Sequence, residues 1–152
     1  MKFEETIPSK RDLVWYAWTI SDRVKTWFSP DANIEPNIGG AYELFFDPSN
    51  PDSMSTKGCK VIDLKEMEYL HFTWKGPDDF AHFMNYEDAL TKVLVTFEAN
   101  GDSTKVTLEH IGWGEGEEWE KAKNWHKVAW SQVMASLNNV FETGEGVLCC
   151  QP

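Results

Sequence analysis

From Glu117 to Thr143 the chain runs about 27 residues without a proline or glycine, and no other feature limits the possible folds so tightly. The run opens on glutamates, which suit the positive end of a helix dipole, and Gly144 closes it. At about 100° per residue, Trp119, Ala122, His126, Ala129, Trp130, Val133, Met134, Leu137, Val140 and Phe141 fall within a stripe about 140° wide. A rod of roughly 40 Å with one broad apolar face results, and the rest of the chain must cover that face.

The remainder reads mostly as strands. Phe3, Glu5 and Ile7 alternate with Lys2, Glu4 and Thr6 before Pro8 ends the run. From Ile34 to Glu98 the period is again two: Gly39-Gly40 introduces Tyr42, Leu44 and Phe46, then come Cys59, Val61 and Asp63, and then Leu70, Phe72 and Trp74. Val93, Val95 and Phe97 lead into the turn Asn100-Gly101-Asp102, and Val106, Leu108 and His110 continue beyond it. Before the main strands, Ser9 with Asp12 resembles a capping box for a helix over 9–19, and Ser21-Asp22 starts a second that stops at Pro30. An antiparallel sheet needs its apolar face covered, and only residues 117–143 are long enough for that. The expectation is one α+β domain over residues 1–152.

Two connections are long for hairpins. Residues 47–57 are polar and proline-rich, whereas 76–90 set Phe80, Phe83, Met84 and Tyr86 in an acidic frame and are expected to form a lid.

Composition narrows the partners. A net charge of -11 repels nucleic acid and anionic lipid surfaces. Eight tryptophans and nine phenylalanines require a large core or a pocket wall. Three cysteines, Cys59, Cys149 and Cys150, do not make a disulfide framework and point to a reducing, cytoplasmic compartment. No signal-peptide pattern opens the chain and no run is apolar enough to span a membrane, so neither export nor membrane insertion is expected.

The ordered set Val14-Trp15, Thr19, Trp27, Gly39-Gly40, Gly58, Phe72-Thr73-Trp74, Thr104 to His110 and Trp130 to Leu137 resembles the START-like SRPBCC superfamily. More narrowly, it is similar to the bacterial branch named after the C-terminal domain of the activator of the Hsp90 chaperone ATPase. The resemblance spans nearly the whole chain. It implies a helix-grip fold, a sheet of about six strands gripping a long C-terminal helix with two small helices after strand one. It also implies a central cavity that in many relatives takes lipids, polyketides or flavonoid-like molecules. Longer loops after Asp47-Pro48 and at 76–90, and Met67-Glu68 where relatives often have prolines, depart from the pattern.

The leading functional expectation is a small aromatic or lipid-like molecule held between sheet and helix. The candidate lining is Trp27, Leu44, Phe46, Trp74, Val95, Phe97, His110, His126, Trp130 and Met134, with Phe80, Phe83 and Tyr86 gating the entrance. His110 and His126 stand on apolar faces, where an imidazole needs a hydrogen-bond partner; a satisfied structural role is preferred over anchoring a ligand or acting as a base. The four histidines show no metal-ligand spacing, no nucleophile elbow or phosphate loop is present, and no cofactor is expected. Contact with a chaperone ATPase, and cyclase or lyase chemistry in the same cavity, are the alternatives the resemblance carries. A tryptophan-rich carbohydrate module is disfavoured because several rings sit at core spacing on helices.

Overall fold

The computed structural model describes residues 1–144; the tail with Cys149 and Cys150, whose sequence leaves room for at most a partial strand, lies outside the described residues. In chain order the elements are β1 (Lys2–Ile7), α1 (Arg11–Thr19), α2 (Ser21–Val24), β2 (Asp31–Ile34), β3 (Tyr42–Phe45), β4 (Val61–Lys65), β5 (Tyr69–Trp74), α3 (Ala81–Met84), β6 (Thr91–Asn100), β7 (Ser103–Ile111) and α4 (Glu117–Thr143). Five strands form an antiparallel sheet in the order β1-β7-β6-β5-β4, and β2 pairs with β3 apart from it. The two sheets are joined through backbone bonds, from Tyr42 N–H to the Cys59 carbonyl and from Val61 N–H to the Gly40 carbonyl. Among the described residues seven strands thus stand where about six were expected, within the same α+β helix-grip arrangement.

The additional strand is β2. Its sequence Asp-Ala-Asn-Ile buries only Ile34, so it lacks an apolar alternation to read. Pairing from Asp31↔Phe45 to Ile34↔Tyr42 and a bond from Ile34 N–H to the Ser21 hydroxyl (2.9 Å) define it instead. The close approach at Gly40 explains the glycine pair before β3: a Cβ there would stand 2.3 Å from the Glu35 carbonyl oxygen.

The capping box at Ser9 does not form. Helix α1 begins at Arg11 after an extended Lys10, with no side-chain cap. The Ser9 carbonyl instead accepts the Thr104 hydroxyl at 2.8 Å, fastening the β1–α1 corner to β7. Chain closure outweighs the local cap because β1 must pair along β7, from Lys2↔Glu109 to Ile7↔Thr104.

Alternation on the sheet follows the period-two pattern. Leu70, Phe72, Trp74, Val93, Val95, Phe97, Val106, Leu108 and His110 are buried, while Lys92 and Glu98 between them are exposed. Helix α4 spans the predicted residues and buries Ala122, His126, Ala129, Trp130, Val133, Met134, Ser136 and Leu137. Ser136 was not on the apolar stripe; its hydroxyl donates to the Trp27 carbonyl at 2.7 Å, which removes the cost of burying it.

The aromatic load is chiefly core mass. Trp18 packs edge-on against Trp27 (4.7 Å between centroids) and Phe28 (5.6 Å), and Tyr42 stacks on Phe72 at 3.9 Å. Two of the polar ring ends are tied to backbone: Trp27 Nε1–H donates to the Ala17 carbonyl and Tyr42 O–H to that of Trp18, each at 2.9 Å, whereas the buried Trp18 Nε1–H has no partner among the described residues. Helix α1 is thereby bonded to the turn that follows α2 and to β3. Among the described residues no helix is long and apolar enough to cross a membrane.

Seating of α4 predicts a face-specific cost. Replacing Leu137, which is fully buried, with Ala should lower unfolding free energy by about 2–5 kcal/mol in urea titrations. Val128→Ala, at a residue 60% exposed, should change it by no more than about 0.5 kcal/mol.

Candidate functional site

Where α4 crosses β5 and β7, two histidines and two tryptophans bond across the layers. Trp74 Nε1–H, from β5, donates to His126 Nε2 on α4 at 3.1 Å. Trp130 Nε1–H, from α4, donates to His110 Nδ1 on β7 at 3.0 Å. An indole N–H can only donate, so each bond fixes the tautomer of its histidine. His126 must carry its proton on Nδ1, which faces the Ala122 carbonyl at 2.7 Å, and His110 must carry its own on Nε2, which faces the Thr91 hydroxyl at 2.8 Å. All four ring nitrogens are engaged.

Both imidazoles are held neutral. Burial pushes His126 down to about 4, against a smaller opposing effect of its bond to the Ala122 carbonyl. Burial pushes His110 well below the ordinary value, assisted by the nearby His126 and the N-terminal ammonium. That ammonium donates to the His110 carbonyl at 3.0 Å, and Trp113 Nε1–H donates to the same oxygen at 2.9 Å. Neither ring has a free nitrogen to act as a base or to anchor a ligand.

Beside this group runs a narrow apolar slot. Phe28, Phe46, Trp74, Trp130, Ala129 and Val133 form its inner walls, His126 and Trp125 its α4 side, and Met54–Thr56 and Lys75–Pro77 its outer rim. Its volume is about 30 Å³, room for one or two waters. An apolar cavity of about 150 Å³ is the size that accepts benzene, so the chamber expected between sheet and helix is largely filled by side chains.

Of the residues read from sequence, Phe46, Trp74, His126 and Trp130 line the slot. Trp27, Leu44, Val95, Phe97, His110 and Met134 are buried in the core away from it. Phe80, Phe83 and Tyr86 do not form the entrance. Phe80 and Phe83 pack on α4 outside it, with Phe80 6.3 Å from Trp125 and Phe83 5.0 Å from Trp119, and Tyr86 is 64% exposed. The reason is local folding: residues 76–90 curl into two short 3-10 turns and α3, which lay Phe80 and Phe83 half-buried against α4, leave Tyr86 exposed and sink Met84 into the core.

Sequence reasoning passed over Trp125, Met54 and Pro77. Trp125 lies beside the apolar stripe rather than on it, and Met54 and Pro77 belong to loops whose path no periodicity reveals. What places these residues at the slot is a contact between the two long loops that the sequence does not show. Asp78 accepts the Met54 N–H at 3.0 Å and the Ser53 hydroxyl, stapling 47–57 to 76–90. These bonds hold the Asp78 carboxyl below its usual range. Asn85 bonds both the N–H (2.8 Å) and the carbonyl (3.1 Å) of Gly76, closing the second loop on itself.

Cys59 is buried, and burial pushes its thiol up to about 12, so it is no nucleophile at neutral pH. Among the described residues no group of three or more His, Cys, Asp or Glu is placed to hold a metal ion.

Comparison with known proteins agrees with this architecture. A family model described as activator of Hsp90 ATPase homolog 1-like protein matches residues 8–142. Among solved structures, a Mesorhizobium loti protein superposes with TM-score 0.73 at 17% identity, over 93% of this chain and 96% of that one. The Aha1 dimer from Colwellia psychrerythraea gives 0.71 at 19% identity, over 96% and 98%. A Plasmodium falciparum protein described as an HSP90 activator gives 0.63 at 18%, over 92% and 93%. At such identities the likeness shows the fold. No curated protein matches by sequence.

The neutral histidines predict acid sensitivity. In the folded state they resist protonation, whereas unfolded they titrate near 6.5. Their stabilising effect is therefore complete above about pH 6.5 and is lost progressively as pH falls toward and through about 4. Between pH 7 and 5, His126 should contribute a loss of about 2 kcal/mol in urea titrations, and His110 a loss in the same direction. His126→Gln should show a shallower fall over that interval from a lower starting stability.

Proposed function

This chain belongs to the activator of Hsp90 ATPase homolog 1-like family, and from that membership and the site geometry we propose that it binds a small hydrophobic molecule at the slot between β5, the two long loops and α4. The observation that carries the reading is an apolar opening rimmed by Met54, Pro77 and Trp125 that leads to the Trp74–Trp130 pair, whose centroids are 4.9 Å apart. Aromatic walls with few polar groups suit a slender apolar ligand.

Occupancy requires widening the slot about fivefold, from one-water size to that of a small hydrocarbon. The outer rim is the part that can yield, because its two loops are tied to each other by the exposed bonds of Ser53 and Met54 to Asp78, whereas Trp74, Ala129, Trp130 and Val133 of the inner wall stand on β5 and α4. Catalysis by His110 or His126 is not part of the proposal, since their ring nitrogens are already engaged.

A test is to follow the indole N–H resonances of the full chain while a panel of small hydrophobes is titrated in. Perturbation should centre on Trp74, Trp125 and Trp130. Ala129→Phe, which fills the slot, should weaken binding at least about tenfold with a stability change of about 1–3 kcal/mol. Shifts confined to other tryptophans, or unchanged affinity in the variant, would contradict the reading.

A second reading, contact with an Hsp90-type chaperone ATPase, is favoured by the family and by the neighbour described as an HSP90 activator. Stimulation of a purified Hsp90 ATPase by the chain supports it. Absence of both stimulation and binding at micromolar concentrations removes it.

A further inference from the structure

The apolar slot does not end at its rim. Ser55 and Lys75 line both the slot and an adjoining polar groove of about 220 Å³, whose other walls are Asp52, Lys57, Asp78 and Asn85. Ala81 completes the groove. A molecule seated in the slot therefore places its outer end in a site with fixed charges. The balance of those charges selects the chemistry of that end.

The two ammonium groups are already matched. Lys57 pairs with Asp52 at 2.8 Å, and Lys75 pairs with Glu87 at 3.0 Å while also donating to the Lys57 carbonyl at 2.7 Å. Asp78 is different: its bonds come from the Met54 N–H and the Ser53 hydroxyl, both neutral, and among the described residues no ammonium or guanidinium pairs with its negative charge. It also adjoins the slot, bonded to the backbone of the rim residue Met54 and next in sequence to the rim residue Pro77. With Glu87 counted, three carboxylates face two ammoniums here, in a protein whose net charge is -11. An anionic head would meet this excess, whereas a cation would be drawn in by the field of the whole molecule and matched locally.

Resting on the slot reading above, we propose that the ligand is an amphiphilic cation, an amine or ammonium compound whose hydrocarbon part enters the slot and whose charged head sits in the groove against Asp78. Two carboxylate oxygens carry about four acceptor positions, and two of those on Asp78 are used, so the head group can bond without breaking the staple between the loops. Lys75, at the border, repels the head and sets how deep the tail goes.

Three probes with one hydrocarbon chain separate the head group from the slot: octylammonium, octanol and octanoate, titrated into the full chain while indole N–H resonances are followed. Octylammonium should bind about threefold to fivefold more tightly than octanol, and octanoate most weakly, the range expected of a partly exposed charge pair. Asp78→Asn keeps acceptor and donor atoms for the staple but removes the charge, and should bring octylammonium to within about twofold of octanol measured on the same variant. Lys75→Met keeps the apolar stem and should tighten octylammonium alone, which gives a second test should the Asp78 variant not fold. Octanol or octanoate binding as tightly as octylammonium overturns the head-group assignment and leaves the slot standing. If none of the three shifts Trp74, Trp125 or Trp130, the slot reading fails and this one with it.

Discussion

The structure depends on the crossed hydrogen bonds between sheet and helix at His110, His126, Trp74 and Trp130. Burying an imidazole without partners costs several kcal/mol, and burying an indole N–H costs less but still a substantial fraction of a domain's stability. Here each group satisfies the other: one indole from the sheet donates to the helix, and one from the helix donates to the sheet. Because a histidine accepts at one nitrogen only when it is neutral and donates at the other, the arrangement admits one tautomer for each ring. It also permits only one rotation and one register of α4 over β5 and β7. Apolar packing alone would tolerate sliding; these bonds do not.

This interlock accounts for the small cavity. The rings that could have surrounded a ligand are bonded or stacked to one another, with Phe28 stacked near Trp74 and Trp130 edge-on to Phe28. What remains open lies at the edge of the interlock, where the rigid wall meets loops 47–57 and 76–90. Those loops are held by exposed hydrogen bonds to Asp78 and half-buried ones to Asn85, which individually contribute about 1 kcal/mol. The easily deformed part of the protein thus borders the apolar slot, as a binding role requires, and the acidic groove outside it gives the mouth a charge preference.

Much of this was legible in the sequence because the signals were redundant. The terminal helix showed both its ends and its stripe, and the β6–β7 hairpin carried alternation on each side of Asn100-Gly101-Asp102. What failed to show was whatever depends on contacts remote in sequence. Strand β2 is polar and exists through pairing with β3; Ser9 serves β7 rather than α1; and Ser136 is buried because the Trp27 carbonyl awaits it. Among the site residues, Trp74, His126 and Trp130 could be placed from periodicity, since strand and helix phases determine where side chains point. Phe80, Phe83 and Tyr86 could not, because short helical turns within an irregular segment set their directions.

The most direct test is the protonation state and tautomer of the two buried histidines, read from long-range proton–nitrogen correlations in the ring at pH 7. The account requires two neutral imidazoles of opposite kind, His126 with its proton on Nδ1 and His110 with its proton on Nε2, both unchanged down to about pH 5. Either ring charged at neutral pH, exchanging between tautomers, or carrying its proton on the nitrogen that faces an indole would mean that sheet and helix are not joined in this way.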